Sequence, residues 1–452
     1  MASTRTLETS LDMMLQRFRD WVLSDFAPAR ILIGGAVAIL GIFLLAIGRR
    51  QAGLDAIARV HRSDCFPALN SALTRLTAQA LSSPSGRVSL QLRLAVFEYP
   101  HTISVTDQNR KFFSNPKKLF PANIIVLKSP GPHERGVIYL YYSYVYPIFM
   151  RLLDVKTISS RYHLVLEPSW SGYFDPNILT TIQLDTPIFV GSIEPRDTAF
   201  LKAVHPNLIP VSTSGNTWVD ANVFHPLPSG EKDFDLISIA AWARYKRHWA
   251  LFRAVARMRA MGRAPKLALV GYPLDLTQTD ILAQARIFGV DDLIAIFERR
   301  TPTEVNGLLN RSKVHVLCSR REGVNRAIIE AMAAGVPNVV REGFNYGHHY
   351  AYINDRTGRF ATEQDLPRVL INMIDNYRQY SPRDYVLSFM TPEASTQRLN
   401  REIRDVALSL GEIWTRDIAI KVSTLDGLTY LDPSDRQRFA EDYRYLGSTI
   451  HI

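Results

Sequence analysis

The stretch from Val314 to Val340, VHVLCSRREGVNRAIIEAMAAGVPNVV, constrains the fold more than any other part of the chain. It opens on an apolar run, Val314 to Cys318, whose length and β-branched content suit a buried parallel strand. Ser319-Arg320-Arg321-Glu322-Gly323 breaks the run and forms a loop. From Asn325 the residues become helix formers, with Ala327, Ile328, Ala331 and Met332 on one face, until Gly335 caps the helix and Pro337 forbids continuation. Another apolar segment, Val339-Val340, follows at once. This succession is half of a doubly wound α/β unit. Such sheets bind ligands at the carboxyl ends of their strands, where Glu322 and Gly323 fall.

That placement gives the loop its chemistry. Gly323 lets a backbone come close to a ligand, and the first unpaired amides of a helix starting near Val324, around Asn325 and Arg326, carry the positive end of the helix dipole. This is a site for phosphate. Glu322 lies before the helix and Glu330 more than a turn inside it, so two carboxylates flank the anion site, and carboxylates accept hydrogen bonds from hydroxyls. A ligand with a sugar at each end of a diphosphate, a nucleotide sugar, fits this layout.

Glu322 and Glu330 stand eight residues apart, and EAMAAGVP begins at the second of them. The stretch resembles the E-x7-E region of retaining GT-B glycosyltransferases, and of glycosyltransferase family 4 in particular. The resemblance implies that Glu322 contacts donor-sugar hydroxyls and Glu330 the ribose. The family usually has a second glycine where this chain has Asn325, followed by Arg326, so the resemblance implies a donor-sugar pocket of altered shape.

At 452 residues, the chain fits two domains of about 150–200 residues plus extensions. Its net charge of +10 points to anionic partners, and with no RNP, zinc-finger or helix-turn-helix signature, phosphates and a membrane surface are favoured over nucleic acid. Two distant cysteines, Cys65 and Cys318, exclude a disulfide framework and imply a reducing compartment.

Residues 1–30 read as an amphipathic segment, with Leu11, Met14, Leu15, Phe18, Trp21 and Val22 at helical spacing. Ile31–Ile47 is an unbroken apolar run closed by Gly48-Arg49-Arg50. Its seventeen residues would rise about 26 Å as a helix, slightly less than the ~30 Å hydrocarbon core, which leaves room for a membrane helix with little tilt, and residues 31–48 are expected to be a transmembrane helix. A buried core helix is the alternative. Acidic residues upstream argue against a cleaved signal peptide. Arg17, Arg19 and Arg30 before the run nearly balance Arg49, Arg50, Arg59 and Arg62 after it, leaning toward a single-pass protein with a cytoplasmic catalytic part.

Residues 49–87 read as a helical stalk ending in Ser82-Ser83-Pro84-Ser85-Gly86. Strand-like runs at Val88–Phe97, Ile124–Leu127, Val137–Tyr142, His163–Leu166, Ile188–Val190 and Leu208–Val211 define a first α/β domain over 88–228. Residues 229–395 repeat the alternation more cleanly, and 396–452 form a helical extension. The expected architecture is α/β: two Rossmann-like domains with an interdomain cleft, as in GT-B, plus one transmembrane helix. Between them, Asn207 to Leu227 resembles the family's interdomain passage through Asn216, Val219, Asp220, Phe224 and Pro226, with Thr217-Trp218 in place of its glycine.

After the strand Leu236–Ala240 come Arg244, Lys246 and Arg247, fixed cations of the kind a leaving diphosphate needs. The resemblance matches Lys246 to the family's lysine and Arg244 less closely to its arginine. Gly271 after Lys266–Val270 would let a backbone approach the nucleotide, and Arg299 falls near the expected base pocket. Asp233-Phe234-Asp235 has a metal-binding form but precedes its strand, so no metal is expected, and no cofactor beyond the nucleotide-diphosphate sugar donor. In the first domain, the loop Lys128 to Gly136, with His133 and Gly136, is a candidate acceptor-side loop. Glu167 stands where many relatives carry a histidine near the reaction centre, as a candidate base or a structural carboxylate. The expected activity is sugar transfer to a glycan or lipid-linked acceptor hydroxyl. A nucleotide-sugar epimerase of the same fold and a non-catalytic membrane scaffold are the rivals, and oligomeric state is open.

Overall fold

Eleven of the strands fall into two sheets of different order, and that order decides where ligands can bind. The computed structural model describes residues 2–170, 172–228, 231–323, 325–342, 350–424 and 427–451. The chain divides into two compact units, one comprising Met1–Ala29 and Val219–Thr391, the other Arg30–Trp218 and Pro392–Ile452. The α/β class with two sheet-based units agrees with the expectation for a GT-B chain. The division falls between Trp218 and Val219, inside the passage read as interdomain. The side chain of Asn216 lies outside the described residues, as does Val324.

The first unit holds six parallel strands: β6 (Phe234–Ile239), β7 (Leu267–Gly271), β8 (Ile294–Glu298), β9 (Ser312–Leu317), β10 (Asn338–Arg341) and β11 (Gly358–Ala361). Their order is β11-β10-β9-β6-β7-β8. Helices follow most strands, as the sequence pattern predicts: His248–Ala260, Gln278–Ile287, Pro302–Asn310 and Arg326–Ala333. Thr277 and Thr301 open two of these with capping boxes, through Asp280 and Glu304. An N-terminal helix, α1 (Ala2–Asp20), packs on this unit and buries Met13 in its core.

The second unit carries β1 (Ile124–Lys128), β2 (Gly136–Tyr141), β3 (Tyr162–Glu167), β4 (Ile188–Gly191) and β5 (Leu208–Val211) in sequential order. β1 is antiparallel to β2, and the others are parallel. Parallel strands added in one direction by right-handed crossovers place their connecting helices on one face. The C-terminal segment meets this sheet: Tyr430, on the hairpin β12 (Lys421–Thr424) and β13 (Gly427–Tyr430), hydrogen-bonds the Val126 carbonyl at 2.7 Å, and Asp442 accepts from Tyr162 at 2.5 Å. The expected helical extension is therefore part of the core.

The N-terminal part of this unit departs further from expectation. The helix α2 (Ala27–Ala46) covers most of the predicted transmembrane run and is long and apolar enough to cross a membrane. What was read as a stalk is packed structure: α3 (Arg50–Ser63), α4 (Pro67–Ser82) and α5 (Gly86–Thr102) contribute Leu54, Ile57, Leu73, Leu92 and Val96 to the same core as β1–β5. The strand expected at Val88–Phe97 is the middle of α5. Ser89, Leu92, Ala95 and Val96 are buried there while Leu90 is exposed, a helical and not an alternating pattern.

Candidate active site

In the six-stranded sheet, β6 and β9 are neighbours, with β7 and β8 beyond one and β10 and β11 beyond the other. Chain direction through the sheet reverses between them, and the crevice at their carboxyl ends is the topological switch point where such sheets bind ligands. Both loops read from the sequence as functional open there. After β6, a tight turn of Arg244–Lys246 leads through Arg247, in the left-handed region at φ 53°, into helix His248–Ala260. After β9 comes the loop with Glu322. The amide of Arg320 donates to the carbonyl of Tyr245 at 2.8 Å, tying the loops by their backbones.

Across this join Lys246 Nζ lies 2.6 Å from Glu322 Oε1, with both side chains largely buried. Burial, the largest single influence, would depress the lysine, but the charge and hydrogen bond of Glu322 together with Tyr245 and Tyr272 outweigh it, and the ammonium is held above its ordinary value. The crevice therefore holds a fixed cation beside a carboxylate: one suits a phosphate, the other a hydroxyl.

Helix Arg326–Ala333 stands behind the pair. Asn325 caps it, its side-chain oxygen accepting the Ile328 amide at 3.2 Å, which accounts for an asparagine where glycine was expected. Glu330 is buried, and burial raises its carboxyl pKa, offset only in part by Arg326, whose Nε lies 3.5 Å away. Arg326 thus pairs along its own helix. Glu330, read from the sequence as one of two carboxylates flanking the anion site, is desolvated.

Arg244 differs from expectation. Its guanidinium meets Asp12 at 3.1 Å and Asp275 at 3.7 Å, and its carbonyl accepts from Gln16 at 2.6 Å, so α1 holds it in place. The same helix supplies Asp20, buried between Arg247 at 3.0 Å and Arg320 at 2.6 Å. Glu363 gathers Arg247, Arg253 and Arg341; burial acts to raise its carboxyl pKa, but the three cations outweigh it and hold it below the ordinary value. A cavity of about 430 Å³ opens beside this network, between Phe18 and Trp21 on one side and Trp249 on the other. Sequence reading missed Asp20 and Glu363, because Arg247, which both of them meet, is 227 and 116 positions away; the only signal was a cluster of arginines in need of counter-charge.

The remaining assignments fare differently. Gly271 ends β7 where a Cβ would come within 2.2 Å of the Ala240 carbonyl and 2.6 Å of the Trp242 ring, so packing demands this glycine without any ligand. Arg299 is exposed and lies 3.5 Å from Glu298. Asp233 and Asp235, at the amino end of β6, are tied to Arg311 and Lys313.

Glu167 is not poised as a base. It is 1% exposed, accepts from the Tyr139 hydroxyl at 2.5 Å, and pairs with Lys421 at 3.2 Å. Lys421 in turn lies over the rings of Trp218 and Tyr139. The loop with His133 and Gly136 is also displaced from its expected role. Because β1 runs antiparallel, this loop leaves at the amino ends of β2 and β3, opposite the edge where parallel strands present ligand loops. Gly136 is needed because a Cβ would meet the Lys128 carbonyl at 2.4 Å.

Residues 233–379 match the family described as Glycosyl transferases group 1. Over 101 residues the chain is 32% identical to the GDP-mannose:cellobiosyl-diphosphopolyprenol alpha-mannosyltransferase of Komagataeibacter xylinus, a match spanning 22% of this chain and 26% of that protein. Among solved structures, it is similar to TarM, at 14% identity and TM-score 0.47 over 59% of this chain and 54% of TarM. It is likewise similar to sucrose-phosphate synthase from Thermosynechococcus elongatus, at 16% identity and TM-score 0.46 over 60% and 74% of the two chains.

Proposed function

We propose that the chain is a membrane-attached, retaining glycosyltransferase that moves a sugar from a nucleotide-diphosphate sugar to an acceptor hydroxyl. The observation that carries this reading is the Lys246–Glu322 pair at the switch point, 2.6 Å apart, inside the segment that matches group 1 glycosyl transferases. In the proposed mechanism, Lys246 binds the diphosphate and stabilises charge on it as the glycosidic bond breaks, a role that asks for no metal ion. Glu322, released from Lys246 by the incoming phosphate, accepts hydrogen bonds from the donor sugar, and Glu330 from the ribose. The acceptor hydroxyl attacks on the face the nucleotide leaves, with a phosphate oxygen taking its proton. The relative from Komagataeibacter makes GDP-mannose and a diphosphopolyprenol-linked acceptor the first substrates to try.

A screen of nucleotide sugars for thermal stabilisation tests the reading, since a ligand bound to the folded state stabilises it according to its affinity. A nucleotide sugar is expected to raise the melting temperature and then to yield a product with retained anomeric configuration in the presence of EDTA. Free epimerised sugar without transfer would identify an epimerase. No stabilisation by any nucleotide sugar would remove the donor-site assignment.

A further inference from the structure

We infer that the outward face of α2 lies in the plane of an anionic lipid bilayer, at the interface, without the helix spanning it. This deepens the membrane-attachment part of the proposed function and stands apart from the glycosyltransferase part. One narrow face of α2, Gly34, Ala38, Gly41 and Leu45, is buried. It packs along α3 over nearly its whole length. A Cβ on Gly53 would meet Leu45 at 2.7 Å, one on Gly41 would meet Ile57 at 2.9 Å, and one on Gly34 would meet Cys65 at 2.4 Å. Backbones this close leave no room for lipid between the helices. α3 also carries Asp55, Arg59 and Arg62, and it packs with α4 and α5 in the core of its unit. A spanning α2 would take α3 and its charges into hydrocarbon, where ionised side chains are strongly disfavoured.

The opposite face is apolar and uncovered. Leu32 is 73% exposed, Ile39 70% and Phe43 57%, with Leu40 and Ile47 about half exposed alongside them. From Leu32 to Ile47 the row runs about 22 Å, longer than scattered surface residues account for and of the kind that marks an interaction site. Charge selects the occupant. From Phe26 to Leu54 the sequence has no Asp or Glu; Arg30 opens the helix and Arg49-Arg50 follow its end, Arg50 paired with Glu98 at 2.6 Å and Arg49 exposed, on a chain of net charge +10. Apolar side chains between cations match an acyl layer under anionic headgroups.

The test uses the full chain and vesicles of phosphatidylglycerol and phosphatidylcholine. Reporter dyes are placed by L32C, I39C and I47C, since the native Cys65 and Cys318 are buried. An in-plane helix puts all three at the same shallow depth for brominated-lipid quenchers, and an external aqueous quencher reaches both end positions alike. The double variant L32E/F43E, at exposed positions, is expected to lose vesicle partitioning at least tenfold while nucleotide-sugar stabilisation is unchanged. A deep Ile39 position with its two ends on opposite leaflets would overturn the inference in favour of a spanning helix. Undiminished vesicle binding by L32E/F43E would overturn it as well. So would self-association of the wild type that L32E/F43E abolishes without any vesicle binding, which would make the face a contact between copies. Because donor stabilisation is read separately, loss of the lipid result leaves the glycosyltransferase reading standing, and the converse.

Discussion

The six-stranded sheet turns back on itself between β6 and β9, and the crevice at that reversal holds Lys246 against Glu322. The five-stranded sheet runs β1 to β5 in sequence, has no reversal, and buries the charge at its edge: Glu167, closing β3, sits among Lys421, Tyr139 and Trp218. Both arrangements are a lysine beside a glutamate. Their difference lies in what else surrounds the pair. Lys421 and Glu167 are almost fully enclosed and bring a C-terminal strand onto the sheet, whereas Lys246 and Glu322 join the loops that follow β6 and β9, at the switch point of the sheet. A buried ion pair is therefore not by itself a catalytic site; topology separates the pair that joins elements of the core from the pair proposed to meet the donor.

The largest expected effect breaks the structural pair. Lys421→Ala should destabilise the chain by about 3–5 kcal/mol in urea unfolding, because Glu167 would be left as an uncompensated buried charge. Glu167→Gln keeps a partner for the Tyr139 hydroxyl but leaves the Lys421 ammonium without its counter-charge, so it should also cost stability while leaving turnover per folded molecule intact. A turnover collapse in that variant, with folding preserved, would return Glu167 to the chemistry.

Breaking the other pair should do the reverse. Removing both charges in K246M/E322Q leaves no unpaired ion, so the fold should survive. Turnover should fall by roughly 10²–10³, the cost of one lost charge stabiliser, about 2.7–4 kcal/mol. Stability lost together with activity, in the same proportion as for Lys421→Ala, would erase the distinction between the two pairs.

The comparison also shows what a sequence can disclose. The switch-point unit was legible because its strands are short apolar runs, its helices carry their own caps, and the candidate site residues Lys246 and Glu322 follow their strands closely. The other unit was harder to read. Val88-Ser89-Leu90-Gln91-Leu92 alternates like a strand, yet tertiary packing makes it helix α5. Asp20 and Lys421 were not legible at all, since each acts on a residue more than 200 positions away and nothing local marks the partner. The antiparallel entry of β1, which moved the His133 loop to the wrong edge, is a pairing choice that residue pattern does not record.

Glu330 offers the smallest effect and the sharpest one, because its two roles should pull in opposite directions. Burial raises its carboxyl pKa in the folded chain, so folding favours the protonated form. The stability this contributes is fully present below the unfolded value of about 4.3 and is lost as pH rises through the higher folded value. At neutral pH the buried carboxylate is a cost to the fold. Glu330→Gln should therefore be slightly more stable than the wild type in urea at pH 7, with the advantage disappearing near pH 4. Donor binding should move the other way: a carboxylate bound to a ribose hydroxyl contributes about 1.5–3 kcal/mol, and a neutral amide oxygen about 0.5–1.5, so calorimetry should find the nucleotide sugar bound roughly tenfold more weakly. Wild-type affinity should also decline as pH falls through the raised carboxyl value, while that of Glu330→Gln stays flat. Equal affinities at pH 7 would mean that the buried carboxylate serves the packing of helix Arg326–Ala333 and never meets the ribose.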